Sequence, residues 1–219
     1  MLPVLVNCEY SQVITQALRA VEVEAFSCDI LDTEGNPDWH IKGDAIEVMN
    51  SREWGGMIAH PPCTRLSNSG VKHLYEGGKF SNGIDFEKWK ELHEAADFFN
   101  AIKDAPIKLK AIENPVMHLH AIHLTGGKAT QYVQPWWFGS KKNKATGFRL
   151  YGLPKLIKTD VVGPMPKTVL KGTSEYRSWN ECWYMSPGDN RGKERARTNP
   201  AVAKAIADQW GPYFRGEKL

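Results

Sequence analysis

The stretch GGMIAHPPC, residues 55–63, is typical of a buried strand that stops abruptly. Its short apolar run suits a strand that is covered on both faces of a parallel sheet. Pro61 and Pro62 have no amide hydrogen and restrict the residue before them, so they end the hydrogen-bonded ladder and turn the chain outward. Cys63 is therefore expected at the mouth of a site and not inside the core.

Further strand and helix patterns alternate on both sides of this stretch. Strands are indicated by PVLVN (3–7), VEAFSCDI (23–30) and KLKAIENP (108–115), with a short element in IKGDAIEV (41–48) and helices over 12–21 and 86–103. This alternation predicts an α/β fold with a mixed, mainly parallel sheet and helices on both faces. Ser11 is expected to cap the first helix, and Phe86 is expected on the buried face of the long one.

The pattern changes after about residue 130. ATQYVQPWWFG (129–139) and TGFRLYGL (146–153) predict an antiparallel pair of strands at the edge of the sheet, and NPAVAKAIADQW (199–210) predicts a closing helix. The intervening segment is rich in Pro, Gly, Ser and charge, so we expect a long ordered loop or a mobile flap. The predicted units are a core over 1–157, this loop or flap over 158–198, and a C-terminal segment over 199–219 whose helix packs back on the core.

The composition predicts a soluble globular protein. The 219 residues, 42% hydrophobic and 24% charged, suit one compact domain, and a net charge of +3 permits contact with polyanions without requiring it. None of the four cysteines forms a CxxC pair, which indicates a reducing compartment. The N-terminus lacks the pattern of a signal peptide, and no apolar run approaches the ~20 residues that cross a bilayer. We therefore expect a cytoplasmic protein with no membrane partner.

Polar and reactive side chains follow the predicted strand ends, where an open parallel sheet binds its ligands. Asp29 is well placed to accept hydrogen bonds from ribose hydroxyls, although it could instead cap the next turn. Cys63 is interpreted as a nucleophile rather than a small buried residue, because its neighbours are polar and Arg65 could help to hold a thiolate. Glu113, at the end of the adjacent strand, could exchange a proton with a bound ring, or could simply end its strand.

Together these residues resemble the DNA (cytosine-5)-methyltransferases, and more closely the short phage and prophage members of that family. Pro62-Cys63 matches the family's nucleophile motif, and Glu113-Asn114 matches its Glu-Asn pair. LVNCEYSQ (5–12) stands in the place of the first S-adenosylmethionine motif, and RTNPAVAKAIADQW (197–210) resembles the closing motif. The resemblance spans nearly the whole chain. It implies the Rossmann-like class I fold of S-adenosylmethionine-dependent methyltransferases.

The resemblance also implies the residues of the site. The catalytic residues are Cys63, Glu113 and Asn114. The cofactor S-adenosyl-L-methionine, which leaves as S-adenosyl-L-homocysteine, is expected to contact Cys8, Glu9, Tyr10, Ser11, Asp29, Ile30, Asp44, Ala45, His60 and Pro61. The substrate is expected to contact Pro62, Arg65, Ser67, Arg177, Arg195 and Arg197. The resemblance implies no metal.

The implied reaction is methylation of cytosine C5, with DNA as the substrate, in the cytoplasm of a bacterial host cell. Attack of the Cys63 thiolate at C6 would raise the electron density at C5, while Glu113 would hydrogen-bond N3 and the amino group. Two departures keep alternatives open: residues 7–12 contain no glycine, and only residues 158–198 stand where larger enzymes carry a target-recognition domain. The rival interpretations are C5-methylation of a free cytosine nucleotide, and a catalytically inactive nucleic-acid-binding or antirestriction decoy.

Three further clusters have open interpretations. MHLHAIH (117–123) holds three histidines that fit a solvated cluster, or one near substrate phosphate, better than a metal site. PWWFGSKKNKATG (135–147) places aromatic rings before lysines, as base stacking requires, although the rings could be core residues. SPGDNRGKERART (186–198) could form a phosphate-contacting flap or a plain solvated loop.

Overall fold

A seven-stranded sheet lies at the centre of the protein, in a computed structural model that describes residues 1–186, 188 and 191–217. The strands are β1 Val4–Asn7, β2 Ala25–Asp29, β3 His40–Lys42, β4 Gly56–Ala59, β5 Lys110–Asn114, β6 Gln131–Val133 and β7 Thr146–Tyr151. Their order across the sheet is β3-β2-β1-β4-β5-β7-β6. The first five strands run parallel, whereas β7 is antiparallel to both β5 and β6. The predicted antiparallel pair at the edge of a mainly parallel sheet is confirmed.

Helices cover both faces of this sheet. They are α1 Val13–Arg19, α2 Ala45–Asn50, α3 Phe86–Asp104, α4 Leu119–Leu124, α5 Ser174–Trp179, α6 Glu181–Tyr184, α7 Arg191–Ala196 and α8 Pro200–Phe214. One apolar core lies between the sheet and the α1–α8 pair, and a second lies between the sheet and α2, α3 and α4. The predicted Rossmann-like α/β architecture is therefore confirmed.

Alternate residues of each central strand supply the two cores. Val6 of β1 enters the core beneath α1 and α8, whereas its neighbour Leu5 enters the core beneath α2, α3 and α4. This follows from the two-residue period of a strand. Trp210 of α8 is fully buried in the first core, where its ring meets the edge of Phe148 at a centroid distance of 5.6 Å.

The start of α1 differs from the prediction that Ser11 caps it. Gln12 is the N-cap residue, with a left-handed backbone at φ 57°. The capping group is the buried carboxylate of Glu9, which accepts hydrogen bonds from the backbone amides of Ile14 at 2.7 Å and Thr15 at 3.2 Å. A carboxylate is favoured at this position because the first amides of a helix are unpaired and carry its positive dipole end.

The long helix α3 follows its prediction except at its first residue. Leu92, Ala96, Phe99 and Ile102 are buried, as the amphipathic pattern predicts. Phe86 was expected on the same face but is 76% exposed. Phe86 is the first residue of α3, and the buried residues of the helix begin only at Leu92. The prediction from helical periodicity that Phe86 is buried is therefore wrong.

The segment 158–198, which we call the flap, carries α5, α6 and α7 and docks on a turn at residues 140–144, the docking turn. The amide of Asn143 donates a hydrogen bond to the carbonyl of Trp179 at 2.7 Å, and Lys142 pairs with Glu181 at 2.5 Å. The expectation for this segment also covers Pro187, Asp189 and Asn190, which lie outside the described residues. Of the helices in the described part of the chain, none has both the length and the apolarity needed to cross a bilayer.

The register of the strands decides which side chains meet at the carboxyl edge of the sheet. Asn7 of β1 pairs with Ala59 of β4, and Ala59 pairs with Ile112 of β5. One residue further along, His60 therefore lies beside Glu113. Ligand-binding side chains of an open parallel sheet gather at such an edge.

Candidate active site

Cys63 is exposed just beyond the carboxyl end of β4. A ladder hydrogen bond still joins the amide of His60 to the carbonyl of Asn7 at 2.9 Å, after which the two prolines, the first buried and the second exposed, lead the chain off the sheet. The carbonyl oxygen of Cys63 then accepts hydrogen bonds from the amides of Leu66 at 3.1 Å and Ser67 at 2.9 Å. The resulting turn presents the thiol outside both apolar cores, where it can meet a ligand.

The loop after Cys63 is tied to its neighbours through Arg65. The carbonyl oxygen of Arg65 is hydrogen-bonded to Nε2 of His118 at 2.9 Å, and the guanidinium forms an ion pair with Glu91 of α3. This pairing directs the guanidinium of Arg65 towards Glu91 of α3. Its contribution in this structure is to fix the loop.

His60 and Glu113 form a charged pair beside Cys63. Ile58 and Ala111 belong to the core beneath α1 and α8, and two residues further along their strands His60 and Glu113 lie on the same face. The Nδ1 atom of His60 is hydrogen-bonded to Oε2 of Glu113. Burial alone would lower the pKa of His60, but the hydrogen bond and charge of Glu113 raise it above its ordinary value.

The pKa of Glu113 shifts in the opposite direction to that of His60. Burial alone would raise the pKa of Glu113, yet the hydrogen bond and charge of His60, with the charge of Lys144, hold it below its ordinary value. Each partner thus favours the charged form of the other, an imidazolium beside a carboxylate. A carboxylate accepts hydrogen bonds but cannot donate one.

Glu9, an expected cofactor contact, has a different role in the structure. Besides the two amides of α1, its carboxylate accepts a hydrogen bond from Oγ1 of Thr15 at 2.7 Å. Burial raises the pKa of Glu9, while the charge of His60 opposes that rise. Glu9 therefore caps the helix and adds a second carboxylate close to His60.

Lys144 belongs to the site, although sequence reasoning placed it only among the lysines of a turn. Because β7 is antiparallel, its first residues lie where β5 ends, and Gly147 stands opposite Asn114. Lys144 precedes that strand, and its positive charge lowers the pKa of both Cys63 and Glu113. The antiparallel direction of β7 beside β5 is the signal that could have identified it.

The electrostatic balance at Cys63 keeps its sulfur protonated at rest. Although Cys63 is exposed overall, the protein atoms packed around its sulfur withhold water from a thiolate. This desolvation, followed by the negative charge of Glu113, raises the pKa of the thiol above its ordinary value. The backbone amide of Cys63 and the charges of Lys144 and Arg195 oppose that rise. A thiolate at this position therefore forms more readily when the charge of Glu113 is neutralised.

The end of the flap crosses the same edge of the sheet. The Nζ atom of Lys144 donates hydrogen bonds to the carbonyl oxygens of Arg195 at 2.7 Å and Arg197 at 2.5 Å. The guanidinium of Arg197 pairs with Glu34, in the loop after β2, at 2.7 Å. Arg177 is exposed on α5, where its guanidinium lies 5.9 Å from the ring centroid of a flap tyrosine. Of the four expected substrate-binding arginines, Arg195 is the one whose charge lowers the pKa of Cys63.

The ends of β1 and β2 form a second cluster, which contains expected cofactor residues. Asp29 ends β2 and accepts a hydrogen bond from the amide of Leu31 at 3.0 Å, while the adjacent Ile30 is 71% exposed. Cys8 has a left-handed backbone at φ 59°, and its pKa is raised by burial and by the charge of Asp29. Burial and the charge of Glu34 likewise raise the pKa of Tyr10.

The start of α2 lies beside that cluster. Asp44 caps the helix, accepting hydrogen bonds from the amides of Ile46 at 2.8 Å and Glu47 at 3.0 Å. The buried side chain of Asn7 donates a hydrogen bond to the carbonyl oxygen of Ala45 at 3.0 Å. Asp44 is also close enough for its charge to raise the pKa of Cys8. Ser11 is buried next to the turn into α1.

Several buried polar atoms at this edge have no hydrogen-bond partner within the described part of the chain. They are the hydroxyl of Tyr10, Nε2 of His60, and both the oxygen and the nitrogen of the Asn114 side-chain amide. Buried polar groups are nearly always paired, so such a concentration of unpaired groups is typical of a ligand-binding edge. Tyr10 belongs to the β1–β2 side, and His60 and Asn114 to the side of Cys63.

The histidine cluster around α4 contributes to structure. His118 caps α4 by accepting a hydrogen bond from the amide of Ala121 at 3.2 Å, and Nε2 of His120 is hydrogen-bonded to the hydroxyl of Tyr75 at 3.1 Å. His123 is exposed. Among the described residues, no group of three or more histidine, cysteine or acidic side chains is placed to hold a metal ion.

The aromatic rings before the docking turn are partly covered by the chain itself. Phe138 is buried, and the ammonium of Lys158 lies 4.7 Å from the ring centroid of Trp137 and 5.7 Å from that of Trp136. The start of the flap therefore places a cation against both tryptophan rings, which stay half-buried.

Comparison with known proteins shows only distant structural likeness. No protein-family model matches the chain, and no curated protein matches it. One similar solved structure is that of a candidate DNA modification methyltransferase encoded within a prophage of E. coli, with a TM-score of 0.40 and 13% sequence identity. The match covers 68% of this chain and 45% of that one, so this chain spans less than half of its length. So weak a likeness says nothing about function, which has to be inferred from the side chains.

Proposed function

We propose that the protein is an S-adenosylmethionine-dependent methyltransferase that adds a methyl group to C5 of cytosine in DNA. The observation that supports this function is the exposed thiol of Cys63, one strand away from the carboxylate of Glu113. A sulfur nucleophile and a proton-exchanging carboxyl group are the two side chains that an electron-poor pyrimidine ring needs before its C5 can react.

The protein's own residues would act on the two ends of the ring. The S–H bond of Cys63 breaks and its proton passes to solvent. The thiolate sulfur then forms a bond to C6, and the electron pair of the C5–C6 double bond moves towards C5 and N3. Glu113 faces N3 and the amino group, where the resulting charge is stabilised by hydrogen bonding. After C5 gains its methyl group and loses its proton to solvent or a base, the bond between sulfur and C6 breaks. Cys63 leaves as a thiolate and takes a proton back from solvent, which restores the resting thiol.

The cluster at the ends of β1 and β2 fits the cofactor. The carboxylate of Asp29 would accept hydrogen bonds from the ribose hydroxyls, and the exposed Ile30 beside it offers an apolar surface to the adenine. The unpaired hydroxyl of Tyr10 and the carboxylate of Asp44 supply further polar contacts. The methyl group that a bound S-adenosylmethionine supplies is the electrophile of this chemistry.

A free cytosine nucleotide is the second candidate substrate. The described part of the flap is small and docks on the core through Lys142, Lys144 and Arg197, which favours a compact ligand. Cationic side chains at the same edge would suit the phosphate of either substrate. DNA remains the first candidate on the resemblance of the Pro-Cys and Glu-Asn motifs.

The test is methyl transfer from labelled S-adenosylmethionine, run in parallel on duplex DNA, single-stranded DNA and free cytosine nucleotides. Label in DNA that is lost in Cys63→Ala would support the first candidate, and label in nucleotides alone would support the second. Cys182→Ala is the matched control, since that partly buried cysteine lies on the flap. If no substrate is labelled and the protein does not bind the cofactor, the proposed methyltransferase activity is contradicted and the inactive decoy is favoured.

A further inference from the structure

His60 lies between two carboxylates at the edge of the sheet. Its Nδ1 atom contacts Glu113, and the charge of Glu9 acts on it from the β1 side. The His60 side chain is only 12% exposed and that of Glu113 is 26% exposed. A proton on this imidazole is therefore held inside the pair, in contrast to the protons of exposed histidines.

The two ring nitrogens of His60 are not equivalent. Nε2 is buried without a hydrogen-bond partner in the described part of the chain, whereas Nδ1 is bound to the carboxylate. The other charged groups that act on the ring are Glu9, which is held by the amides of α1, and Lys144 in the docking turn. Within the described part of the chain, a proton that leaves the ring by way of a hydrogen bond can thus pass only to Glu113.

We infer that His60 is the proton store of Glu113, a positioning residue that turns this carboxylate into a hydrogen-bond donor for the target base. This role rests on the proposed function. N3 of cytosine carries a lone pair and requires a donor, but the resting carboxylate of Glu113 can only accept. The proton that Glu113 needs is already bound to its neighbour.

The transfer balances without a further reactant. The Nδ1–H bond of His60 breaks with its electron pair left on nitrogen, and an O–H bond forms on Glu113. The O–H group donates to N3, and the proton passes to N3 as the sulfur of Cys63 adds its electron pair at C6. When that sulfur leaves at the end of the turnover, N3 loses the proton, which returns through Glu113 to His60.

The first half of the test needs neither cofactor nor substrate. The protonation of His60 is followed by nitrogen-detected NMR of the histidine rings, in the wild-type protein and in Glu113→Gln. We expect His60 to stay cationic above the ordinary titration range of a solvent-exposed histidine, and to lose its proton at lower pH in the variant. A neutral His60 in the wild-type protein at pH 7 would overturn the inference.

The second half measures the pH profile of methyl transfer in the wild-type protein, His60→Asn and the control His123→Asn. The amide of asparagine can keep a hydrogen bond to Glu113 but carries no mobile proton. We expect His60→Asn to lose up to the order of 10² in rate at neutral pH and to recover as the pH falls, because Glu113 must then take its proton from water. The control should follow the wild-type profile.

The outcomes distinguish a failure of the role of His60 from a failure of the proposed methyltransferase function. A His60→Asn profile parallel to that of the wild-type protein would overturn the proton store while leaving the methyltransferase intact. Equal stability of the two proteins by thermal unfolding, combined with the shifted profile, would exclude a purely structural effect and support the store. If the wild-type protein transfers no methyl group at any pH, the proposed function fails and this role of His60 fails with it, even if the NMR shows a cationic ring.

Discussion

Lys144 donates a hydrogen bond from Nζ to the carbonyl oxygen of Arg197 over 2.5 Å, although the two residues are 53 positions apart in the chain. A companion hydrogen bond reaches the carbonyl oxygen of Arg195. The ammonium group therefore anchors the end of the flap, while its charge lowers the pKa of Cys63 and Glu113. The position of the flap's end and the pKa values of the two expected catalytic side chains therefore depend on the same lysine.

Replacing Lys144 by methionine should loosen the end of the flap. Methionine keeps most of the apolar stem but removes the donors to both carbonyl oxygens, so residues 191–199 should exchange their amide hydrogens faster. Hydrogen-exchange mass spectrometry measures this directly. Lys141→Met is the matched control, since Lys141 is an exposed lysine of the same turn. Unchanged exchange in Lys144→Met would show that the flap is held by other contacts.

The reactivity of Cys63 towards an alkylating agent should follow the charges around it. Because the carboxylate of Glu113 raises the pKa of the thiol, Glu113→Gln should increase the thiolate fraction and speed alkylation severalfold at pH 7–8. Lys144→Met should slow it. Peptide mass spectrometry distinguishes Cys63 from the other cysteines, and Glu87→Gln, at an exposed site on α3, is the control. Equal rates in all variants would contradict this electrostatic account.

The His60–Glu113 pair should make stability depend on pH in a defined window. The raised pKa of His60 adds stability that is fully present below about pH 6.5 and is lost as pH rises through the folded value. The lowered pKa of Glu113 adds stability that is present above about pH 4.5 and is lost as pH falls through the folded value. The free-energy difference between the wild-type protein and Glu113→Gln should thus be largest near pH 5–6. Urea unfolding across pH 4–9 measures it, and a flat difference would disprove the ion pair.

Trp210 should be one of the residues on which the fold depends most. Its ring is fully buried between α8 and the sheet, and Nε1 donates a hydrogen bond to the carbonyl oxygen of Pro154 at 2.9 Å. Trp210→Ala should lower the free energy of unfolding by about 3–5 kcal/mol. Trp183→Ala removes a ring that is 60% exposed, so it should change the free energy of unfolding by less than about 0.5 kcal/mol. Similar losses in the two variants in denaturant unfolding would contradict this difference.

The fold could be predicted because its signals are local. Apolar runs stopped by proline, as at Pro61 and at Pro115, mark strand ends, and helical periodicity marks the covering layers. The proximity of Cys63 and Glu113 follows from adjacent parallel strands, and the sequence was sufficient to suggest it. The resemblance of the Pro-Cys and Glu-Asn motifs then gave these two residues a chemistry.

The parts of the site that could not be predicted depend on register and on long-range contacts. No local pattern shows that His60 stands level with Glu113, because this requires the pairing of β4 with β5. No local pattern shows that the carboxylate of Glu9 reaches the amides of α1 either. That contact depends on the left-handed backbone at Gln12, where the chain turns into the helix. Lys144 enters the site through an antiparallel strand that begins where β5 ends.

The backbone from Arg195 to Arg197 is fastened on one side by Lys144 and on the other by the pair of Arg197 with Glu34. It therefore forms a strap between the end of β5 and the loop after β2. A ligand lying beneath it would leave only when one fastening opens, and it would enter in the same way. Such a barrier slows association and dissociation by the same factor, so it alters residence time and leaves the Kd unchanged. The two fastenings would thus determine how long a ligand stays bound. The residues at the strand ends beneath them would determine how tightly it binds.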